Sequence, residues 1–326
     1  MTDLDVHPPD AEEGPHPIGD DPLWQESVFI VWRDRHRPIG GVFRVGHEPY
    51  QGGGQSHVVF DAYAGGVRYR RNLPSAPFDR EADHTGTGLT AGDAWSFTYD
   101  GATRVRVRQH DCELALDVAD LYPRTDFFPG DAGTMVDDFA AGHFEASGRC
   151  LGRLSLDGEV HEIDGWCHRD HSWGPRRWDT LLSHRWVTGS VGPSLSFGGI
   201  SWHGRDGTLA RFGYVVRNGA VTLAEGFDVT VHMACDALTY SGGEATWRLP
   251  GGETLTLRPQ VEAAFVNDIH GIACVDAICA IEHDGERGFC DLEVSTNPRA
   301  GGAAVTQSLL ATIEEGLSRE EPWPAR

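Results

Sequence analysis

The densest chemistry in the chain lies between Asp164 and Trp178, in the run Asp-Gly-Trp-Cys-His-Arg-Asp-His-Ser-Trp-Gly-Pro-Arg-Arg-Trp. Three tryptophans, two histidines, three arginines and the carboxylate of Asp170 fall within these fifteen residues. A carboxyl beside an imidazole, surrounded by indole rings, suits proton transfer. Burial raises an aspartate pKa and a nearby cation lowers it, so Asp170 with His171 can be tuned to deliver a proton to an alkene, an alcohol or an enol. The ring of Trp173 and its neighbours would shield and stabilise the resulting cation. Arg169 or Arg176 would tune the acid. Three other readings compete. His168, Asp170 and His171, with Cys167 beside them, could be metal ligands, although strand alternation sends His168 and His171 to opposite faces unless a turn intervenes. Ser172 could be a nucleophile, but no Gly-x-Ser-x-Gly elbow is present. In a purely structural reading Asp170 caps a turn, Trp173 plugs a barrel floor and an arginine stacks on Trp178.

Other candidates are more dispersed. His143 and Glu145 are two apart, so a strand would place them on one face. They could form an acid–base pair at a pocket, or an exposed ion pair worth about 0–1 kcal/mol. Trp202 and His203 precede the Asp206-Gly207 turn and suit the rim of a ligand site. Gly52-Gly53-Gly54 lacks the Lys and Ser/Thr of a phosphate-binding loop, and no Gly-x-Gly-x-x-Gly follows a strand. No calcium-loop spacing surrounds Asp137-Asp138. The expectation is a site with no metal and no organic cofactor.

The elements that must position these residues read as strands. Glycines punctuate β-branched and aromatic runs such as Ser27–Arg33, Ser56–Tyr63, Trp95–Tyr99, Thr103–Gln109 and Glu113–Val118. In Arg104-Val105-Arg106-Val107-Arg108 the two residue types alternate, which predicts a strand with valine on one face. Asp100-Gly101, Asp157-Gly158, Asp206-Gly207, Asn218-Gly219 and Asp284-Gly285 each sit between strand-like runs and predict hairpins. Helical spacing occurs once, at Val305, Leu309, Leu310, Ile313 and Leu317, after Asn297-Pro298. Parallel βαβ architecture is disfavoured, because it needs long crossover helices. About 150 residues with eight to ten strands close one lipocalin-sized barrel, and the chain holds two such lengths.

Length and charge narrow the function classes. The chain has 326 residues, enough for two domains at roughly 100–200 residues each. Its 27 basic residues are all arginine and face 49 acidic ones, for a net charge of −22. Such a surface repels phosphate backbones and anionic lipid, so nucleic-acid and peripheral membrane binding are disfavoured. No segment reaches the ~18 uninterrupted apolar residues of a membrane span; the run from Gly271 to Ile281 is broken by Asp276. No secretory leader is recognisable. Seven scattered cysteines without a Cys-x-x-Cys pair argue for reduced thiols and a cytoplasmic location. Residues 1–22 carry seven acids, five prolines and no basic residue except histidine, and read as a solvated tail, with order beginning near Trp24.

The run from Gly165 to Arg176, with its Asp-His-Ser-Trp-Gly centre, resembles the Asp-His-x-Trp-Gly motif of the AttH-like, hydroxyneurosporene synthase (carotenoid 1,2-hydratase)-like superfamily. Tocopherol cyclase and fungal Diels–Alderase-type cyclases are similar at greater distance. His143-Phe-Glu-Ala-Ser-Gly148, the Asp157-Gly158 hairpin and Trp24-Gln-Glu-Ser fit the same pattern, over about residues 22–315. Ser172 stands where the carotenoid hydratases carry Asn, which places the chain nearer the uncharacterised bacterial branch with Ser at that position. The resemblance implies two consecutive lipocalin-like antiparallel β-barrels with a pocket near their junction. It also implies acid-initiated hydration, dehydration, isomerisation or cyclisation of an isoprenoid-, terpenoid- or steroid-like substrate, without an organic cofactor.

The expected architecture is therefore all-β: a disordered acidic tail over residues 1–21, one lipocalin-like barrel over 22–175, a second over 176–326, and a short C-terminal helix. Asp170, His171 and Trp173 are the expected catalytic residues. His143, Glu145, His168, Arg169, Arg176, Trp202 and His203 are the expected substrate contacts. The expected partner is a small hydrophobic molecule, with a homodimer left open. The alternatives are a non-catalytic carrier of a lipophilic metabolite and a metal-dependent hydrolase.

Overall fold

The structure, a computed structural model, describes residues 13–99, 101–126, 139–233, 240–297 and 315–319. It is all-β, as the glycine-punctuated runs predict. In chain order the strands are β1 (Trp24–Asp34), β2 (Ile39–Glu48), β3 (Gln55–Ala64), β4 (Val67–Pro77), β5 (His84–Thr85), β6 (Gly88–Ala91), β7 (Trp95–Thr98), β8 (Thr103–Arg108), β9 (Cys112–Asp120), β10 (Thr125–Asp126), β11 (Gly142–Leu156) and β12 (Glu159–Pro175). There follow β13 (Leu181–Val191), β14 (Leu195–Gly204), β15 (Leu209–Arg217), β16 (Ala220–Leu223), β17 (Gly226–Met233), β18 (Tyr240–Arg248), β19 (Thr254–Leu257), β20 (Gln260–Ile269), β21 (Ile272–His283), β22 (Glu286–Thr296) and β23 (Gly316–Arg319). A single α-helical turn, Arg80–Asp83, is capped by the Asp79 carboxylate.

The strands form two antiparallel sheets. The first runs in the order β23-β4-β3-β2-β1-β12-β11-β9-β8-β7-β6-β5, with β10 on β11. The second runs β16-β15-β14-β13-β22-β21-β20-β18-β17, with β19 on β18. The first curls until β2 packs on β6 and β7, and the second until β15 packs on β17. This gives the two lipocalin-like units. The predicted alternation in Thr103–Arg108 is realised, with Val105 and Val107 buried and the arginines outward. The Asp157-Gly158, Asn218-Gly219 and Asp284-Gly285 turns all take positive φ at both residues, the geometry a two-residue hairpin needs.

Each sheet encloses its own apolar core. The first is built on Val28, Ile30, Trp32, Phe43, Phe60, Trp95 and Phe97, the second on Phe197, Phe227, Trp247 and Leu292. A third layer lies between the sheets, where Val31, Val42, Val59 and Trp166 meet Phe265, Ile278 and Phe289. Strand β12 is central to this arrangement, flanked by β11 over Glu159–Trp173 and by β1 over Gly165–Pro175. Alternate side chains of β12 therefore enter the first core and the layer between the sheets.

Two expectations meet a different arrangement. Order does not begin at Trp24: from Glu13 the chain lies against the first sheet, with Glu13 buried and His16 bonded to Glu26. Most of the expected C-terminal helix falls on residues 298–314, outside the described residues. Its last member, Leu317, sits in β23, a strand that pairs with β4 of the first sheet. None of the described helices is long and apolar enough to cross a membrane.

Gly142 shows how closely the strands around β12 approach. It pairs with Trp173, and a Cβ at this position would lie 2.2 Å from the Trp173 ring. Gly142→Ala is expected to destabilise the fold by about 1–3 kcal/mol, read as a lower urea midpoint with an unchanged slope.

Candidate functional site

Period-two alternation divides the central motif between two places. His168, Asp170 and Ser172 face the second sheet, together with their β11 partners Ser147, Glu145 and His143. Arg169, His171 and Trp173 face the interior of the first sheet, alongside Glu26, Phe144 and Tyr99. Asp170 and His171 are neighbours in sequence but not a pair in space. The expected Asp170–His171 proton couple does not form, because consecutive strand residues point to opposite faces.

The layer between the sheets contains a pocket of about 650 Å³, its open mouth included. Ser27, Phe29, Arg44, Val59, Phe139, His143, Asp170, Ser172, Arg176, Trp178, His184, Trp186, Ile269, Ile272, Cys274, Asp276 and Glu293 line it. Both sheets contribute. Asp170 is half-buried and lines this pocket. It has no hydrogen-bond partner among the described side chains. Burial is the main influence on it and pushes its pKa up to about 6; His143 and Arg176 pull the other way. Its cross-strand neighbour Glu145 behaves oppositely. Burial would raise Glu145, but His168 and His143 outweigh burial and hold it down, at about 2. Glu145 accepts hydrogen bonds from Trp186 Nε1 at 3.0 Å and from Tyr214 Oη at 2.7 Å. His168 Nε2 approaches it at 3.3 Å and His143 Nε2 at 3.6 Å. Both tyrosine and tryptophan come from the second sheet, so Glu145 ties the sheets together as a structural anion and Asp170 is left as the titrating group.

Cationic groups reach the same pocket. Arg176 donates from Nε to the Phe139 carbonyl at 2.7 Å and from Nη2 to Ser172 Oγ at 2.7 Å. Burial pulls its pKa down to about 9. Arg44 donates from Nη1 to His57 Nδ1 at 2.8 Å, and its buried Nη2 has no partner. On the second sheet His184 Nε2 and the Cys274 thiol both donate to Glu293 Oε1, at 2.7 and 2.8 Å. Burial together with Glu293 keeps Asp276 well above the usual carboxylate range.

The interior of the first sheet holds a second polar cluster. Glu26 Oε1 accepts from His171 Nε2 at 2.8 Å and from His16 Nδ1 at 2.7 Å. His84 Nε2 lies 3.3 Å from Glu26 Oε2. The His16 ring stacks on Trp173, with centroids 3.6 Å apart. Arg169 is fully buried between Asp120 and Glu13, bonding Asp120 through Nε at 3.0 Å and Glu13 through Nη2 at 2.8 Å. Its charge sits over the Phe144 ring. This face is thus filled by the chain's own N-terminal segment.

Of the expected site residues, Asp170, His143 and Arg176 come together at the pocket, with Glu145 and His168 directly behind. His171, Trp173 and Arg169 belong to the other face. Trp202 packs beside the pocket, stacked on His184. His203 points to the opposite face, near the Asp206 turn. The sequence reading missed Arg44, Cys274, Asp276 and Glu293. Two of these had a visible signal: Arg44 and Asp276 are charges set inside otherwise apolar strands. Donor atoms that a metal ion could use converge at His16, Glu26 and His171, at His184, Cys274 and Glu293, and at Asp276, Asp291 and Glu293. In the first two groups the atoms already satisfy one another by hydrogen bonds. The expected set of His168, Asp170 and His171 does not converge.

A family model described as "Domain of unknown function (DUF7064)" matches residues 9–298. No curated protein matches in sequence. Among solved structures, the AttH-type protein of Nitrosomonas europaea is similar with a TM-score of 0.65 at 13% identity, covering 91% of this chain and 98% of that one. CghA, in its structure with Sch210972, gives a TM-score of 0.61 at 12% identity, over 85% and 89% of the two chains. Kievitone hydratase from Nectria haematococca gives 0.55 at 11% identity, over 91% and 94%. The AttH-like fold inferred from the Asp-His-Ser-Trp-Gly motif is therefore the fold of this chain.

The Glu26 cluster makes an acid-stability prediction. Burial opposes ionisation of Glu26, but His16 and His171 more than compensate and hold its pKa at about 2 against an ordinary 4.5. A depressed carboxylate contributes stability that is complete above its unfolded pKa and is lost as pH falls through the folded one. Urea midpoints measured from pH 7 down to pH 2 should show Glu26→Gln less stable at neutral pH by about 2–4 kcal/mol, with the gap closing below pH 4.5.

Proposed function

The chain belongs to the DUF7064 family, a domain of unknown function, and on this fold we propose that it is an acid–base enzyme. Its reaction is hydration or dehydration, isomerisation or cyclisation of a largely hydrophobic molecule, without an organic cofactor. One observation carries the reading. Asp170 is a carboxyl without a hydrogen-bond partner among the described side chains, its pKa held near 6 by burial, in the wall of the pocket between the sheets. A general acid works best when its pKa lies near the ambient pH.

Protonated Asp170 gives its proton to an alkene, enol or alcohol carbon–oxygen centre of the substrate. Phe139, Trp178 and Trp186 line the same pocket, and their ring faces stabilise the positive charge that develops. The Asp170 carboxylate then takes a proton back, from the cation or from an adding water. An apolar substrate that expels water raises the Asp170 pKa further and keeps the acid loaded. His171 and Trp173 act in this scheme only by fixing β12 from its other side. The hydratase among the similar structures has this fold and supports the reaction class.

The test starts from organic extraction of the purified protein, with mass spectrometry of whatever terpenoid, steroid or polyketide co-purifies. Incubated with that molecule in deuterated water, the protein should place deuterium on a substrate carbon, and Asp170→Asn should lose this by at least about a hundredfold. Undiminished exchange in the variant would overturn the assignment, and a carrier would bind the molecule in both forms and exchange in neither. Turnover should fall as pH rises above about 6, where the acid loses its proton. The stability sign is opposite to that of Glu26. A raised carboxyl destabilises the fold as pH rises from 3.8 through 6, so Asp170→Asn should be more stable than the parent at pH 7–8, by about 1–3 kcal/mol.

A further inference from the structure

We infer that the ligand of this pocket is an amphiphilic anion, whose carboxylate- or enolate-like oxygens are held by the guanidinium of Arg44 while its apolar body lies on the aromatic wall. The inference rests on the reading of the pocket as the substrate site and names the class of molecule that enters it.

Arg44 projects from β2 into the layer between the sheets and lines the pocket. The residue is 6% exposed. A guanidinium buried to this extent requires acceptors for its donors, because an unmet donor loses its hydration without replacement. Nη1 finds one in His57 Nδ1 at 2.8 Å. His57 donates its other nitrogen, Nε2, toward Asn72 Oδ1 at 3.3 Å, which fixes the neutral tautomer and makes Nδ1 an acceptor. Nη2 has no acceptor. The carboxylates nearest in charge are Glu48, Asp170 and Glu293. Glu48 accepts from Gln55 Nε2 at 2.7 Å and has the His270 ring 2.6 Å from its other oxygen, and Glu293 accepts from His184 and Cys274. Asp170 does not reach Arg44. The guanidinium is therefore set in the pocket wall with an unused donor, the arrangement that recognises a ligand oxygen.

The approach to the pocket carries the same sign. A neighbouring depression shares Arg176 and Trp178 with it and adds Arg177, Arg205 and His270, against Asp179 as its one carboxylate. On a chain of net charge −22, three arginines at one mouth form a local attractive field in a repulsive surround. Such a field steers anions inward and is weakened by salt.

Two dyes of one scaffold test this on the full-length protein: anilinonaphthalene sulfonate, which is an anion, and N-phenylnaphthylamine, which is neutral. Fluorescence titration should show both bound, the anion about tenfold or more tighter at low salt. Arg44→Met should remove most of that preference and leave the affinity for the neutral dye within about twofold. Arg44→Lys should keep part of it. Arg205→Ser, on the exposed rim, should slow association of the anion and reduce its salt dependence without unfolding the protein. Binding of the neutral dye with no preference for the anion, or a preference unchanged in Arg44→Met, overturns the inference and leaves the apolar pocket intact. Binding of neither dye overturns the pocket reading as well.

Discussion

The junction of the two sheets is organised by one buried negative charge, that of Glu145. A carboxylate removed from water is stable only with donors and cations around it, and Glu145 draws these from both sides. His143 and His168 come from its own sheet, and Trp186 and Tyr214 from the other. Gly198 on β14 lets the second sheet come this close, since a Cβ there would lie 2.7 Å from Glu145 Oε2. Ser147 extends the seam, accepting from Ser196 and donating to the Gly189 carbonyl. With both imidazoles beside Glu145, Asp170 directly across the ladder has no hydrogen-bond partner among the described side chains, and burial outweighs the pull of His143 and Arg176 on it. The raised pKa of Asp170 is thus a by-product of how the sheets are joined.

Strand β12 carries this arrangement to a second place. Its odd-numbered side chains around the motif enter the first sheet, where Arg169 and His171 would be isolated ionisable groups. Glu26 and Asp120 from the sheet, and Glu13 and His16 from the segment before β1, complete them. Polar residues on both faces of one strand force compensation on both faces. One compensated set is closed, its charges paired within the first sheet. The other, around Asp170, Arg44 and Arg176, is open to a pocket and incompletely satisfied.

Much of the fold was legible because its signals are local. Asp-Gly and Asn-Gly turns and the Val/Arg alternation of β8 specify antiparallel strands within a few residues of where they occur. The chemical motif was legible as a concentration of costly residue types. The division of its members between two faces followed from alternation, yet pairing Asp170 with His171 ignored it. The partners of Asp170 were less legible, because β2, β13, β21 and β22 reach the pocket only through long-range packing. Arg44, Cys274 and Glu293 lie far from the motif in sequence, and nothing local marks them as its neighbours. The role of Glu13 and His16 was hidden for another reason. Their segment has the composition of a solvated tail, and its order comes from two specific contacts made deep in the first sheet.

Those two contacts make the N-terminal segment a tethered occupant of the first barrel. A carboxylate and an imidazole, delivered on the segment before β1 to Arg169, Glu26 and Trp173, fill polar positions in that interior. Because the tether keeps them close, they act at an effective concentration that a dilute solute does not match. The interior of the first barrel is in this sense filled by the chain itself, and the open pocket lies at the seam between the sheets.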